Sequence, residues 1–246
     1  MGIYKSIEKR INWLRHVRFD RKTGFYRFNR YGKYIYVRHP RHFIPESINT
    51  WLCEKIYFRN YLPKQGDVVV DFGAGYGEEA IYLAAHSPGV KYFGVEPQPV
   101  VYECLANTFK GSGETYIASP YVVSNMDTVK FVTQFSYASV GEVSDGYIEV
   151  PTLTWSDFVA RYNLSMVDLV KMNIEGAEKE LIAEITDLKM INRFVISCHD
   201  FRSEEGGGEK FRTKEFVTTK LEKNGFRIQT FDYGINWADN WIYAEK

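Results

Sequence analysis

Polar side chains directly follow four apolar segments of the sequence, each short enough to be a buried strand. The segments end at Asp71, at Glu96, at Asn173 and Glu175, and at His199 and Asp200. In a parallel α/β sheet the carboxyl ends of the strands share one edge, and ligands bind there. These residues supply carboxylates and an amide for hydrogen bonding, and an imidazole whose ordinary pKa of about 6.5 suits proton transfer. The sequence therefore predicts one active site built from four strand ends.

The first of these segments runs into a glycine turn, VVVDFGAGYG at 68–77. Glycine at 73, 75 and 77 lets the backbone turn sharply and leaves no Cβ between it and a ligand. Apolar residues at helical spacing follow, which predicts a helix over 78–86. Strand, turn and helix are typical of the first unit of a nucleotide-binding sheet. Glu96 lies nineteen residues past Gly77, at the end of the next predicted strand. A carboxylate at that position can accept hydrogen bonds from both hydroxyl groups of a ribose.

The spacing of the turn separates two classes of nucleotide. A GxGxxG turn is typical of dinucleotide binding, with the bare backbone facing a pyrophosphate. Here the spacing is GxGxG, and Asp71 stands two residues before the first glycine. A carboxylate there repels a pyrophosphate but suits the cationic ammonium and sulfonium groups of S-adenosylmethionine. The residues therefore favour S-adenosylmethionine over a nicotinamide cofactor, which stays the alternative.

The predicted donor site comprises the turn, two acids and small residues that follow the neighbouring strands. Its members are Asp71, Gly73, Ala74, Gly75, Gly77, Glu96, Pro97, Ser124 and Asn125. Ser124 and Asn125 come directly after two valines, and we expect their small polar groups to hold the adenine.

The predicted catalytic residues are His199, Asn173, Asp200 and Glu175. Methyl transfer from a sulfonium is an in-line displacement, so alignment of nucleophile and methyl group supplies most of the catalysis. A hydroxyl acceptor must also lose a proton, which predicts His199 as general base and Asp200 as the group that orients its imidazole. Asn173 is predicted to hydrogen-bond the acceptor or the methionine amine. Glu175 has two interpretations of equal weight, a catalytic carboxylate or a cap of the next helix.

Oxygen-rich side chains at this edge would suit magnesium, but no spacing demands a metal ion and none is predicted. Alternating apolar segments and helical patterns predict a doubly wound, mostly parallel α/β sheet that ends in an antiparallel hairpin. The further predicted strands are 91–95, 115–118, 166–172, 194–198, 226–231 and 241–245. The further predicted helices are 101–109, 177–185 and 211–224, the last closed by Gly225.

Residues 1–61 are predicted to form a basic extension, and residues 62–246 the sheet domain. The extension contains a basic amphipathic helix over 3–19, a hairpin of strands 24–28 and 34–38, and a helix over 47–60. The first helix either packs on the domain with a solvated basic face or lies on a membrane surface. Inside the domain, strands 128–133 and 146–150 form an inserted hairpin, and a polar linker around 136–145 is predicted to be a mobile flap.

Charge is distributed unevenly along the 246 residues. The formal net charge is zero, but the chain up to His42 carries twelve Lys and Arg against Glu8 and Asp20. An excess of ten positive charges in one segment predicts an anionic partner. Three scattered cysteines without CxxC spacing argue against a disulfide framework or a zinc site and fit a reducing cytoplasm. No apolar run approaches the length of a membrane span.

Four blocks of the sequence together resemble the FkbM family of methyltransferases. They are VVVDFGAGYG, VEPQP, VPTLTWSDF and DLVKMNIEGAEKELI, and the resemblance extends from about residue 66 to the C-terminus. It implies a class I methyltransferase fold with a seven-stranded Rossmann-like sheet, S-adenosylmethionine as donor, and O-methylation of a sugar, glycan or related natural product. It places the glycine turn and Glu96 on the donor and the NIEGAE stretch beside the transferred methyl. Many members have Asp where this chain has Asn173, which moves the expected base to His199.

Three functional hypotheses follow. The first is an O-methyltransferase whose saccharide-type acceptor is anionic and contacts the basic extension through Arg27, Arg30 and Lys33. The second is a nicotinamide-dependent oxidoreductase. The third is a non-catalytic module that binds a polyanion or a membrane surface through the basic segment. No specific nucleic-acid partner is expected, because the NPPY-type and PC signals of base methylation are absent from the sequence.

Overall fold

A mixed α/β sheet forms the centre of the protein. The computed structural model describes residues 15–112, 115–132, 139–140 and 147–246. The described strands are β1 (Arg18–Asp20), β2 (Phe25–Arg30), β3 (Lys33–Val37), β4 (Val68–Phe72), β5 (Lys91–Val95), β6 (Tyr116–Ser119), β7 (Val122–Val123), β8 (Thr128–Val132), β9 (Ser139–Val140), β10 (Tyr147–Leu153), β11 (Leu169–Met172), β12 (Arg193–Ser197), β13 (Arg227–Thr230) and β14 (Trp241–Glu245). The described α-helices are α1 (Glu46–Leu52), α2 (Glu78–His86), α3 (Pro99–Lys110), α4 (Trp155–Arg161), α5 (Glu178–Glu184), α6 (Asp200–Arg202), α7 (Lys214–Lys223) and α8 (Asn236–Asp239).

The central sheet has seven strands in the order β13-β14-β12-β11-β4-β5-β6. The five strands from β12 to β6 are parallel, whereas β14 is antiparallel to both of its neighbours. From β4 the chain moves outward to β5 and β6, and it later returns to place β11 on the other side of β4. The strand order therefore reverses between β4 and β11, where sheets of this kind bind ligands. The predicted seven-stranded, mostly parallel sheet is confirmed.

Both faces of the sheet are buried, and the alternation of side chains along each strand explains why. In β4, Val70 and Phe72 belong to one apolar cluster and Val69 to the other. The same strand places Asp71 on the face of Val69, because side chains two apart share a face. A carboxylate therefore lies inside an apolar layer and needs a partner there.

The extension is a small antiparallel sheet, β1-β2-β3, docked on the main domain. Phe28 and Val37 pack in one cluster with Ile81 of α2. The backbone N–H of Tyr36 also donates to the hydroxyl of Thr108 in α3, at 3.0 Å. The predicted hairpin is confirmed, and the extension contacts the two helices that flank the glycine turn.

Two features differ from the sequence predictions. The predicted helix over 3–19 falls mostly outside the described residues, and its last part is wrong because Arg18–Asp20 pairs with β2 as a strand. The helix predicted over 47–60 is α-helical only as far as Leu52 and continues as a π-helical turn over Cys53–Tyr57. The inserted hairpin is present as β8 and β10. The predicted flap lies outside the described residues except for β9.

Candidate active site

The three glycines of the turn differ in what a side chain at each position would contact. Gly73 has a φ of +81°, and a Cβ there would lie 2.1 Å from the carbonyl oxygen of Asn173. Gly77 has a φ of +86°, and its Cβ would meet Leu105 and Phe109 at 2.9 Å. Gly75 has a φ of +54°, but a Cβ there would meet no atom within 4 Å. Packing therefore requires glycine at 73 and 77, whereas Gly75 borders open space that a ligand can enter.

Alanine substitutions at Gly73 and Gly75 are expected to have opposite consequences. Gly73→Ala forces backbone against backbone and should prevent stable folding. Gly75→Ala costs about 1–2 kcal/mol for a left-handed residue with a side chain, and should fold but lose donor affinity by at least about ten-fold because its methyl group enters the ligand space. Thermal unfolding and calorimetry with S-adenosylmethionine check both. A Gly75→Ala protein with unchanged donor affinity would contradict this assignment.

Glu96 is hydrogen-bonded to the glycine turn, and its contact with a ribose stays a prediction. Its Oε2 accepts the N–H of Gly75 at 3.2 Å, and its Oε1 accepts the N–H of Gln98 at 3.0 Å. The side chain is buried, and this burial raises the pKa of the carboxyl to about 7, opposed by the two backbone hydrogen bonds. The group is thus held next to the open side of Gly75 and is close to its titration point at neutral pH.

Asp71 is held inside the sheet by a lysine that sequence reasoning missed. Lys171 of β11 lies directly across from Asp71, and its Nζ is 2.9 Å from Asp71 Oδ1 and 3.4 Å from Glu79 Oε1. The phenol of Tyr92 donates to Asp71 Oδ2, and the lysine Nζ lies 5.1 Å from the ring centroid of Tyr57. Burial opposes the lysine charge, but the two carboxylates raise its pKa, so it stays a cation. The sequence contains one indication of this buried ion pair, which is the single lysine within the apolar segment VDLVKM.

Because both carboxylate oxygens of Asp71 are engaged, its direct contact with a donor stays a prediction. The contacts observed here show Asp71 as the anchor between β4 and β11, directly beneath the glycine turn. Its negative charge is shared with Lys171 in the protein interior, where opposite charges must be paired.

His199 lies between two carboxylates at the end of β12. Its Nδ1 is 2.8 Å from Glu178 Oε1, and its Nε2 is 3.5 Å from Glu175 Oε2. Burial lowers the pKa of the imidazole, but the hydrogen bond and charge of Glu178, aided by Glu175, outweigh it and raise the pKa above its ordinary value. Glu175 also pairs with Arg202, at 2.5 Å. The group is a hydrogen-bonded chain of ionisable side chains beside the end of β11.

The three other predicted catalytic residues have distinct surroundings. Asp200 does not contact the imidazole in this structure; its Oδ1 accepts the N–H groups of Thr213 and Lys214 and so caps α7. Glu178, which sequence reasoning missed, occupies the position expected of Asp200. Glu175 has a φ of +59°, a strained conformation for a residue with a side chain. Such strain persists where neighbouring contacts fix it, and is common at functional sites.

The described side chains give Asn173 no hydrogen-bond partner, and it is only partly buried at the end of β11. It therefore remains available to a ligand beside Gly73. Ala74 is buried under the turn, and Pro97 follows Glu96. Asn125 instead bonds Glu184 at the far end of α5. The described contacts do not link it to the turn, so its predicted adenine contact stays a prediction.

Ser124 is buried, and its hydroxyl accepts the N–H of Met126. Its predicted adenine contact likewise stays a prediction. No three His, Cys, Asp or Glu side chains in the described ranges are arranged to hold a metal ion.

The basic extension approaches the glycine turn on its outer side. The ring of His42 lies 5.1 Å from the ring of Tyr76, the turn residue between Gly75 and Gly77. Burial and the charges of Arg41, His39 and Arg38 lower the pKa of His42 to about 4. Burial is the largest cause of this shift, and the charges of the neighbouring arginines add to it. Arg38 and Arg41 are exposed there.

These features define a nucleotide-binding α/β enzyme with its ligand site at the reversal of strand order. The family model of the FkbM methyltransferase domain matches residues 71–228, which is more than half of the chain. The protein belongs to the FkbM methyltransferase family, and the predicted resemblance is confirmed. S-adenosylmethionine is its methyl donor, and the chain is an S-adenosylmethionine-dependent methyltransferase. The nicotinamide-dependent oxidoreductase and the non-catalytic module are therefore excluded as its function.

Several solved methyltransferase structures are distantly similar to this chain. One is a precorrin-6y C5,15-methyltransferase from Geobacter metallireducens, with 13% identity over 83% of this chain and 91% of that chain and a TM-score of 0.46. Another is an S-adenosylmethionine-dependent O-methyltransferase from Thermotoga maritima, with 13% identity, 83% and 66% coverage and a TM-score of 0.48. A third is Aeropyrum pernix fibrillarin with bound S-adenosylmethionine, with 14% identity, 92% and 84% coverage and a TM-score of 0.47. Similarity this low transfers neither substrates nor residue roles.

The comparison with curated proteins gives no match. None of the helices in the described ranges is long and apolar enough to cross a membrane. The cytoplasmic location and the boundary between residues 61 and 62 stay predictions.

The donor fits the residues present. The space at Gly75, the carboxylate of Glu96 beside it, and the free amide of Asn173 at the adjoining strand end can accommodate the adenosine and methionine parts of the molecule. The donor supplies an electrophilic methyl group when bound.

Proposed function

We propose that the protein is an O-methyltransferase whose acceptor is a hydroxyl group of a saccharide, glycan or related compound that carries an anionic group. The observation that supports O-methylation is the chain Glu175–His199–Glu178 at the carboxyl edge of β11 and β12, with distances of 3.5 Å and 2.8 Å. A hydroxyl nucleophile needs a proton acceptor. A carboxylate and an imidazole in contact can take up a proton at one end of such a chain and stabilise it along the chain.

In this proposal Glu175 and His199 form the proton-accepting pair. Glu175 is the more exposed of the two, since its side chain is 13% exposed and that of His199 is 3%. Burial raises the pKa of Glu175, against the charges of His199 and Arg202, which strengthens it as a base. Glu178 fixes the imidazole through Nδ1 and is thus a positioning residue. Asn173 orients the acceptor or the methionine amine from the neighbouring strand.

The test is the pH dependence of methyl transfer in variants of the pair. His199→Gln and Glu175→Gln should each lower kcat by about 10²–10⁴-fold, the usual contribution of general base catalysis. Glu178→Gln should shift the acidic limb of the kcat profile, where activity rises as the base loses its proton, to lower pH, because Glu178 raises the pKa of His199 in the folded protein. Radiolabelled methyl transfer to a panel of glycan acceptors gives the readout.

Asp200→Asn is the matched control, because Asp200 caps α7 and does not contact the imidazole. Asp200→Asn should leave the pH dependence of kcat unchanged, even if it lowers the stability of the protein. Retention of full kcat in both His199→Gln and Glu175→Gln would contradict the assignment of the base.

The anionic group on the acceptor is proposed from the surface beside Tyr76. Arg38 and Arg41 are exposed there, and they help to keep His42 uncharged. By contrast, Arg27 is paired with Asp20 at 3.3 Å, and Lys33 donates to the Gly111 carbonyl. Arg38 and Arg41 are thus exposed cations close in sequence to His42, which contacts Tyr76 of the glycine turn.

Arg38→Ala combined with Arg41→Ala should raise the acceptor KM by about ten-fold or more, the equivalent of about 1.4 kcal/mol, with little change in donor affinity. The effect should shrink with added salt, since exposed charges are screened. Arg27→Ala with Lys33→Ala is the matched control from the same extension and should leave the acceptor KM nearly unchanged. Equal effects of the two double variants would contradict a specific anion site.

A further inference from the structure

The two carboxylate oxygens of Glu175 have different surroundings. Oε2 is buried and lies 3.5 Å from Nε2 of His199 and 2.5 Å from Nη2 of Arg202. Oε1 accepts no hydrogen bond from the described residues, and it is not one of their buried polar atoms that lack a partner. Oε1 is therefore accessible to solvent, whereas Oε2 is engaged on the inner side of the carboxylate.

The second partner of Oε2, Arg202, belongs to the short helix α6. Its N–H donates to the carbonyl oxygen of His199 at 2.8 Å, which folds the chain back at the end of β12. Its guanidinium lies 5.5 Å from the ring centroid of Phe211. This ring is closely packed, because a Cβ at Gly176 would lie 2.6 Å from it and a Cβ at Gly207 would lie 3.0 Å from it. The arginine thus has a fixed aromatic neighbour as well as the carboxylate.

The backbone of Glu175 depends on contacts of this kind. Its φ of +59° is a strained conformation for a residue with a side chain, and such strain persists only where the surrounding structure fixes it. The contact with Arg202 at 2.5 Å is shorter than the contact with His199 at 3.5 Å. A hydrogen bond between two charged groups is also among the strongest in proteins. Arg202 is therefore the main determinant of how the carboxylate is oriented.

The charge of Arg202 acts on both members of the pair. Burial lowers the pKa of the His199 imidazole, the carboxylates of Glu178 and Glu175 raise it, and Arg202 lowers it. Burial raises the pKa of the Glu175 carboxyl, whereas the charges of His199 and Arg202 lower it. Arg202 therefore opposes Glu178 and favours the proton-free form of both groups.

We propose that Arg202 is a positioning residue that holds the Glu175 carboxylate beside His199 and leaves Oε1 facing the acceptor hydroxyl. The role of Oε1 rests on the proposed function, but the placement of Arg202 beside the pair does not. A lysine can replace the charge of an arginine but not its planar, forked set of donors. Variants can therefore separate the effect of the charge from the effect of the geometry.

The first test is the proton NMR titration of His199 in the full chain, with His199→Gln used to assign the resonance. Arg202→Met removes a positive charge next to the imidazole, so His199 should titrate at higher pH. Arg202→Lys keeps the charge and should leave the titration close to that of the unmodified protein. Arg212→Met is the matched control, because Arg212 is exposed and pairs with Glu209 at 3.0 Å. It should not change the titration.

The second test is the kinetics of methyl transfer to the glycan panel. Arg202→Met and Arg202→Lys should each lower kcat by about ten-fold or more, since a misplaced catalytic group is costly, with little change in either KM. Arg202→Met should also move the acidic limb of the kcat profile to higher pH, the opposite of the shift expected for Glu178→Gln. Thermal unfolding verifies that each variant is folded.

An unchanged His199 titration in Arg202→Met would overturn the inference, and so would full kcat in both Arg202 variants. A loss confined to the acceptor KM would overturn it in favour of direct contact between Arg202 and the acceptor. If Glu175→Gln and His199→Gln abolish methylation but the Arg202 variants do not, this inference alone is rejected. If the titration shifts as expected but no saccharide is methylated, the proposed function is rejected and the placement of Arg202 stands.

Discussion

Lys171→Met is expected to lower the free energy of unfolding by about 3–5 kcal/mol, the usual effect of removing one partner from a buried ion pair. The variant leaves Asp71 and Glu79 without their shared cation. Asp71 is fully buried, and the lysine side chain is 2% exposed, so water cannot replace the lost partner. Tyr92 alone would then bond the Asp71 carboxylate. Because β4 and β11 border the switch point, the glycine turn should lose its anchor as well.

Urea unfolding at several pH values measures this effect. The two uncompensated carboxylates in the variant should have raised pKa values in the folded state. Their proton uptake therefore stabilises the folded variant as the pH falls, and the deficit should be larger at pH 8 than at pH 5.5. Lys91→Met, an exposed lysine at the start of the neighbouring β5, should change stability by less than about 0.5 kcal/mol.

A second variant tests the pairing itself. Asp71→Asn combined with Lys171→Met removes both charges of the closest pair and should recover part of the stability. If Lys171→Met lost less than about 1 kcal/mol, the ion pair would not be the anchor that the distances of 2.9 Å and 3.4 Å indicate.

The sequence predicts those parts of the site that depend on residues close together in the chain. The strand, the GxGxG turn, helix α2 and the acid at position 96 are local patterns, and the structure has β4, the turn and α2 within one or two residues of their expected bounds. Gly225 follows α7 with a φ of +86°, as its position predicted. Local backbone chemistry determines such features, so no knowledge of distant residues is needed.

The contacts between distant segments were not predictable in the same way. Lys171 meets Asp71 across a separation of one hundred residues, and only the order and register of the strands place them side by side. The partner of His199 is Glu178 and not its neighbour Asp200, because the chain turns after His199 and carries the Asp200 side chain to the start of α7. The burial of Arg30 likewise depends on how the extension docks. Charge counts cannot separate a buried arginine from exposed Arg38 and Arg41.

Donor affinity is expected to rise with pH through about 7, and Glu96 is the reason. Burial raises the pKa of its carboxyl to about 7 in the free protein, so a large fraction is protonated below that pH. Only the ionised form can accept hydrogen bonds from both ribose hydroxyls. Binding therefore favours deprotonation: affinity should fall by up to about ten-fold per pH unit below the pKa and level off above about pH 8.

Calorimetry between pH 5.5 and 8.5 with S-adenosylmethionine and with adenosine checks this dependence. Adenosine carries the ribose without a titrating amine, so a dependence shared by both ligands belongs to the protein. Glu96→Gln should bind each ligand more weakly, by about 10–100-fold since hydrogen bonds to a charged group are lost, and its affinity should no longer vary over this range. Glu78, another buried acid whose pKa burial raises to about 7, provides the matched control. If Glu78→Gln and not Glu96→Gln removed the dependence, the proton would reside at the start of α2, and the ribose contact assigned to Glu96 would be wrong.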